Sequence, residues 1–154
     1  MHLFEENIKN LGLNIPELPK ALANYVPYKT VGKTMYISGQ APVQNGELIY
    51  KGKVGSDVTV EDGIKAARLC VTNIIAAVKT GLEGDWGKLD SFVKLTGFVN
   101  CQDDFTDQPK IINGASDMLV EIFGDQGRHA RVAVGSNALP LGISVEIDAI
   151  VQLK

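Results

Sequence analysis

Arg131, Glu146 and Asp148 are the residues of this 154-residue chain whose types and spacing could do chemistry. They lie in two stretches, 130–134 and 145–151, in which side chains of two kinds alternate. That period of two predicts a pair of strands. The link 136–142, with Pro140 and Gly142, predicts a tight return and therefore a hairpin. On this reading Val132, Val134, Val145, Ile147, Ala149 and Val151 share one side, while Arg131 and Ala133 lie opposite with Glu146 and Asp148. A hairpin centred near Leu139 sets Arg131 level with Glu146 to Asp148. Two chemistries fit. One is a cross-strand ion pair on a solvated face. The other is a guanidinium that grips an anion beside a carboxylate able to handle water. Spacing alone favours the ion pair and leaves both open.

The elements that must position these residues can be read in order. Residues 4–22 have helical spacing at Phe4, Ile8 and Leu11, then break at Gly12 and Pro16, which predicts a short helix and a loop. Residues 26–31 and 34–38 read as strands about a Gly32-Lys33 turn, and Asn45-Gly46 signals a second hairpin. Thr59 caps a helix with Asp62 at its third position. Ile64, Ala67, Val71, Ile74, Ile75 and Val78 form that helix's apolar stripe, and Gly81 is expected to stop it. Trp86 in the 84–87 loop reads as a packing anchor. Residues 91–99 form a strand. Pro109 suits the first turn of a second helix, with a stripe at Ile112, Ala115, Leu119, Ile122 and Phe123 and an end at Gly124.

Strands, helix, strand, helix, two strands describe an α+β sandwich, with two main helices covering one face of a mixed sheet in one domain, residues 1–154. The second face has no helix left to cover it. On this reading it carries Arg131, Ala133 and Glu146. A face that is part apolar and part charged is usually covered by another subunit, with small-ligand clefts at the boundary.

The 45% apolar content is enough to bury a core, and the longest apolar runs are too short to cross a bilayer. Residues 1–8 lack the basic and apolar regions of a signal peptide. A net charge of −3 argues against nucleic acid as a partner. The densest basic cluster, Lys29, Lys33, Lys51 and Lys53, reads as a solvated strand edge. Cys70 falls on an apolar helical face and is expected to be buried, whereas Cys101 follows a strand and is expected to be exposed. Neither the two cysteines nor His2 and His129 have metal-ligand spacing, so no metal is expected. The expected compartment is the reducing cytoplasm.

Tyr25 stands thirteen residues before Ser38-Gly39-Gln40, Asn113 opens the second helix, and Ala130-Arg131, Leu139-Pro140 and Val145-Glu146-Ile147 follow. Together these resemble the Rid family (YjgF, or endoribonuclease L-PSP-like), the reactive-intermediate imine deaminases, over most of the chain. Extra residues around 84–87 and 124–127 place it in a longer-chain subgroup. The resemblance implies a chorismate-mutase-like fold assembled as a homotrimer, with three clefts between subunits. It also implies hydrolysis of 2-imino or 2-enamino acids to 2-keto acids and ammonia, with no metal and no cofactor. In that scheme Arg131 grips the substrate carboxylate, a task suited to a guanidinium fork and not to a lysine. Glu146 orients or activates water, Tyr25 closes the pocket, and groups at Ser38, Gly39, Asn113 and Ala133 line the remainder. His129 stands where compact members have proline or alanine, and reads as a structural imidazole at the strand entrance. Asp148 reads as a surface or ion-pair residue.

Three functions remain in view. The leading one is an imine hydrolase acting on a small carboxylate-bearing metabolite. The second is a binding module that holds a 2-keto acid as a sensor. The third is the ribonuclease of the family's older label, against which the acidic balance and the lack of a histidine pair or an aromatic–basic surface count.

Overall fold

A twelve-residue strand with one fully buried side organises the sheet. In the computed structural model, which describes residues 1–18 and 23–154, the chain runs α1 (Leu3–Asn10), β1 (Tyr28–Val31), β2 (Thr34–Gln40), β3 (Val43–Gln44), β4 (Glu47–Leu48), α2 (Val60–Gly81), β5 (Leu89–Asn100), α3 (Gln108–Phe123), β6 (Ala130–Ser136) and β7 (Val145–Leu153). The end of the expected 4–22 segment lies outside the described residues. The main sheet has the order β1-β2-β7-β5-β6, and β3 and β4 form a separate small hairpin at Asn45-Gly46, both with positive φ. Among the strands of the described residues, only the β5–β6 pair is parallel.

The expected C-terminal hairpin does not form. β6 and β7 are not neighbours, because β5 lies between them. The physical reason is the β5–α3–β6 succession. Parallel strands need a crossover helix, and α3 supplies it, so β6 lands beside β5. The link to β7 then passes across the end of β5. There the Asn100 N–H donates to the Ser144 carbonyl at 2.8 Å, and the Asn100 amide donates to the Ile143 carbonyl at 3.1 Å.

Register also corrects the expected faces. Leu95 pairs with both Arg131 and Ala149, so these residues share the side on which α2 and α3 pack. Thr96 and Phe98 pair with Val132 and Val134 on β6, and with Asp148 and Glu146 on β7, which puts those residues on the open face. Arg131 and Ala133 therefore belong to the helix side, and Val132 and Val134 to the open side, the reverse of the sequence expectation for β6.

Small residues let α3 pack close to the sheet at Gly97 and close to α2 at Gly114. A Cβ on Gly97 would stand 2.6 Å from Ile112 Cδ1, and one on Gly114 would stand 2.6 Å from the Ile64 carbonyl oxygen. The Thr59 side chain accepts from the Asp62 N–H at 3.1 Å, as the capping box requires. Gly81 does not end α2 by a left-handed turn. It is the last residue of the helix, as expected, but a Cβ there would meet Met35 Cε at 2.5 Å, and the left-handed turn falls at Glu83 and Gly84, both with positive φ. Gly124, with φ 60, does cap α3. Cys101 is buried along with Cys70, contrary to expectation, because the chain runs on from β5 under the 136–144 link.

α1 closes the far end of the core. Phe4 meets Phe123 edge-on with ring centroids 4.9 Å apart, and the Asn7 amide donates to the Ile122 carbonyl at 2.7 Å. Glu5 accepts from Lys79 at 2.8 Å and from the buried Trp86 indole at 2.7 Å. The Lys79 hydrogen bond holds the Glu5 pKa below its ordinary value against the opposing effect of burial, and the indole adds to it. A carboxylate with a lowered pKa stabilises the fold above its unfolded pKa, and this contribution is lost as pH falls through the folded pKa. Glu5→Gln is expected to cost about 0.5–1 kcal/mol near neutral pH, the scale of a partly exposed pair. In urea unfolding the difference from the parent protein is expected to close as pH falls through the lowered folded-state pKa of Glu5.

Candidate functional site

The structure separates the sequence-derived site residues into two groups. Arg131 pairs with Leu95 and Glu146 with Phe98, three residues further along β5. At about 3.3 Å per residue and about 4.8 Å per strand, the two backbones are ~14 Å apart, and the odd offset points their side chains to opposite faces. Within one chain they form no pair.

The first group sits on the edge strand β6. Arg131 Nη1 donates to Asn113 Oδ1 at 2.8 Å and to Ser116 Oγ at 3.2 Å, both on α3. Ala133, two residues on, packs partly buried against the core over Gly97. Among the described residues the ion pairs do not include Arg131. A cation held only by neutral acceptors keeps its charge available to an anion. Ser116 escaped the sequence reading, although it lies one helical turn after Asn113 and so shares its face.

The second group gathers where β2 meets β7. Between Ile37 and Gln40 the β2 strand advances three residues while β7 advances two, so a bulge falls at Ser38-Gly39. The Glu146 side chain lies over it. A Cβ on Gly39 would stand 2.7 Å from Glu146 Oε1, so the glycine makes room for the carboxylate. The Ser38 hydroxyl donates to the Val26 carbonyl at 2.6 Å, and its N–H donates to the Pro27 carbonyl at 2.9 Å. Ser38 thereby fastens the segment that carries Tyr25, and its hydroxyl hydrogen is used in doing so. Glu146 and the exposed Tyr25 line one pocket of about 520 Å³ with Gly39, Gln40, Pro140, Leu141 and Ile143.

Burial raises the pKa of Glu146 above the ordinary carboxylate value, and the nearby charge of Asp148 raises it further. Asp148 forms no ion pair among the described residues, so its effect is to load the same face with a second negative charge. The pocket wall at 140–143 is tied down from below. Lys53 donates to the Asn137 carbonyl, to Asn100 Oδ1 at 3.2 Å and to the Cys101 carbonyl at 3.4 Å, and the Gly52 N–H donates to the Gly142 carbonyl at 2.7 Å. Lys53 is thus a fastening and not part of a solvated edge, while Lys29 and Lys33 are exposed as expected.

A five-stranded mixed sheet with two long helices on one face defines the chorismate-mutase-like class of fold, and the comparisons agree. The sequence matches the profile of the family described as "YjgF/chorismate_mutase-like, putative endoribonuclease" over residues 5–151. The chain belongs to that family. Protein TCP17 of Trypanosoma cruzi is 39% identical over 149 residues, which span 96% of this chain and 92% of TCP17. The crystal structure of Atu1372 from Agrobacterium tumefaciens, a protein of unknown function, is 44% identical with a TM-score of 0.93, covering 99% of this chain and 93% of that one. E. coli TdcF, solved with bound serine, is 27% identical with a TM-score of 0.64 over 88% of this chain and 93% of its own.

Asp148→Asn removes the smaller of the two causes that raise the Glu146 pKa. Carbon-detected NMR titration of the Glu146 carboxyl is expected to show a midpoint above the ordinary glutamate range, which falls only part of the way back in the variant. An unchanged midpoint would mean that Asp148 does not act on Glu146.

Proposed function

We propose that this protein hydrolyses reactive 2-imino and 2-enamino acids to 2-keto acids and ammonia, in clefts shared between the protomers of a homotrimer. The observation that carries this reading is the separation of the two groups. A cation without a carboxylate partner among the described residues sits at one edge of the sheet. A carboxylate with a raised pKa sits in a pocket on the other face. Each lacks what the other supplies, and a second copy of the chain that sets its β6 edge against the Glu146 pocket brings them together.

The open face supports such packing, since Tyr36, Val132 and Val134 are all 40% or more exposed there. Apolar side chains gathered on one sheet face favour burial by another subunit. The serine bound to TdcF supports a ligand of amino-acid size that carries a carboxylate.

In this reading Arg131 of one protomer holds the substrate carboxylate through two parallel N–H bonds, with Asn113 bracing the guanidinium and Ala133 leaving space beside it. The C=N carbon then lies over Glu146 of the next protomer. Glu146 takes a proton from water as the water oxygen bonds to the protonated imine, and the π pair goes to nitrogen. The carboxylic acid returns that proton to the amine of the resulting carbinolamine. The C–N bond breaks, the hydroxyl gives its proton to Glu146, which passes it to the departing ammonia, and the products are a keto acid and ammonium with the carboxylate restored. An enamine enters the same path once protonated at carbon. A carboxyl whose pKa is raised by burial is suited to both halves. Tyr25 closes the mouth, and orientation with water exclusion lowers the barrier.

The test uses imines generated in situ with an amino-acid oxidase, followed by loss of imine with and without the protein. Light scattering is expected to give about three times the 16.6 kDa chain mass. Arg131→Ala is expected to abolish turnover and pyruvate binding in an intact oligomer. Glu146→Gln is expected to lower turnover by roughly 10²-fold while pyruvate binding survives. Parent protein that binds pyruvate yet hydrolyses no imine in a broad panel would make it a sensor, and cleavage of RNA by the same preparation would restore the nuclease reading.

A further inference from the structure

Arg131 is held by a chain of neutral groups that ends on the backbone. Ser116 Oγ, which accepts from Arg131 Nη1, lies 2.9 Å from His129 Nε2, and His129 Nδ1 lies 2.7 Å from the Gly127 carbonyl oxygen. The last contact sets the direction of every bond. A carbonyl only accepts, so Nδ1 carries the hydrogen. A neutral imidazole then presents Nε2 as an acceptor, and the Ser116 hydroxyl donates to it. The serine has one hydrogen, now committed, so the guanidinium meets its lone pair. Each bond polarises the next in the same sense.

The far end of the chain is fixed. A Cβ on Gly127 would stand 2.2 Å from the Leu119 carbonyl oxygen, so this turn presses against α3 with no room for a side chain. Burial lowers the His129 pKa, and the Arg131 cation lowers it further, against the opposing bond from Gly127. Among the described residues, Arg131 Nε and Nη2 make no hydrogen bond within the chain, so one edge of the fork is tied and the other is open.

We propose that Ser116 and His129 are positioning residues that hold the Arg131 guanidinium in the orientation in which its open edge receives a ligand carboxylate. This rests on the reading of Arg131 as the carboxylate clamp. It adds two residues to that site, neither of which needs to touch the ligand.

The test titrates the oligomer of this chain with pyruvate and follows the His129 ring nitrogens by long-range nitrogen–proton NMR. In the parent protein Nδ1 is expected to carry the hydrogen, and pyruvate is expected to shift the Nε2 signal through Ser116. Ser116→Ala is expected to weaken pyruvate binding about tenfold, the scale of one hydrogen bond to a charged group, with an unchanged thermal midpoint. Ser116→Thr, which keeps the hydroxyl, is expected to restore it. His129→Phe is expected to match Ser116→Ala, and the double variant to be no worse than either, because both break one chain. Normal pyruvate binding in Ser116→Ala and His129→Phe, with loss only in Arg131→Ala, would overturn the positioning role and leave the clamp intact. Parent protein that binds no pyruvate, or Arg131→Ala that binds it normally, would remove the clamp and this inference together.

Discussion

The pairing of β5 with β6 on one side and β7 on the other is the constraint from which the rest follows. It inserts one strand between the two segments that carry the charged residues, and it sets Arg131 and Glu146 an odd number of residues apart. An odd offset in a pleated sheet means opposite faces. No rotamer change bridges that. A site that uses both residues would have to draw them from different chains, and in the proposed assembly the open face of the sheet with its exposed valines is the contact.

Within one chain each of the two groups is held by its own contacts. Arg131 rests on Asn113 and Ser116, neutral groups that satisfy part of the guanidinium without cancelling its charge. Glu146 rests over a bulge at Gly39, where burial and Asp148 hold its pKa up. A resident salt bridge in either half would have to be broken on binding, at the cost of uncovering a charge. The pocket wall is held by the Lys53 and Asn100 hydrogen bonds, which reach three segments of chain from one corner.

Local patterns in the sequence carried most of the elements. The Thr59 cap, the two helical stripes, the Asn45-Gly46 turn and the period of two in β6 and β7 all have short-range causes, and all appear in the structure. The failures are long-range. Two alternating strands joined by seven residues suggest a hairpin, yet the strand–helix–strand run 89–136 already demanded a parallel pair, and that pairing takes precedence because α3 buries its stripe on β5. Once β6 moved, the face of Arg131 moved with it. Ser116 escaped, and His129 was read only as a structural imidazole, because the hydrogen-bond chain that joins them runs between a helix and a strand entrance, which spacing along either element does not reveal. Gly39 was named through family resemblance alone; its cause, the carboxylate lying over it, is visible only in three dimensions.

The central claim is that one cleft takes Arg131 from one protomer and Glu146 from another. Mixing tests it directly. Arg131→Ala and Glu146→Gln chains, the first without turnover and the second with about a hundredth of it, are unfolded together in equal amounts and refolded. A shared cleft in a closed ring restores one intact site for every favourable neighbour pair, so imine turnover is expected to return to about one quarter of the parent value. Refolded mixtures with verified mixed oligomers and no recovered turnover would show that each chain supplies its own complete site, and would contradict the account.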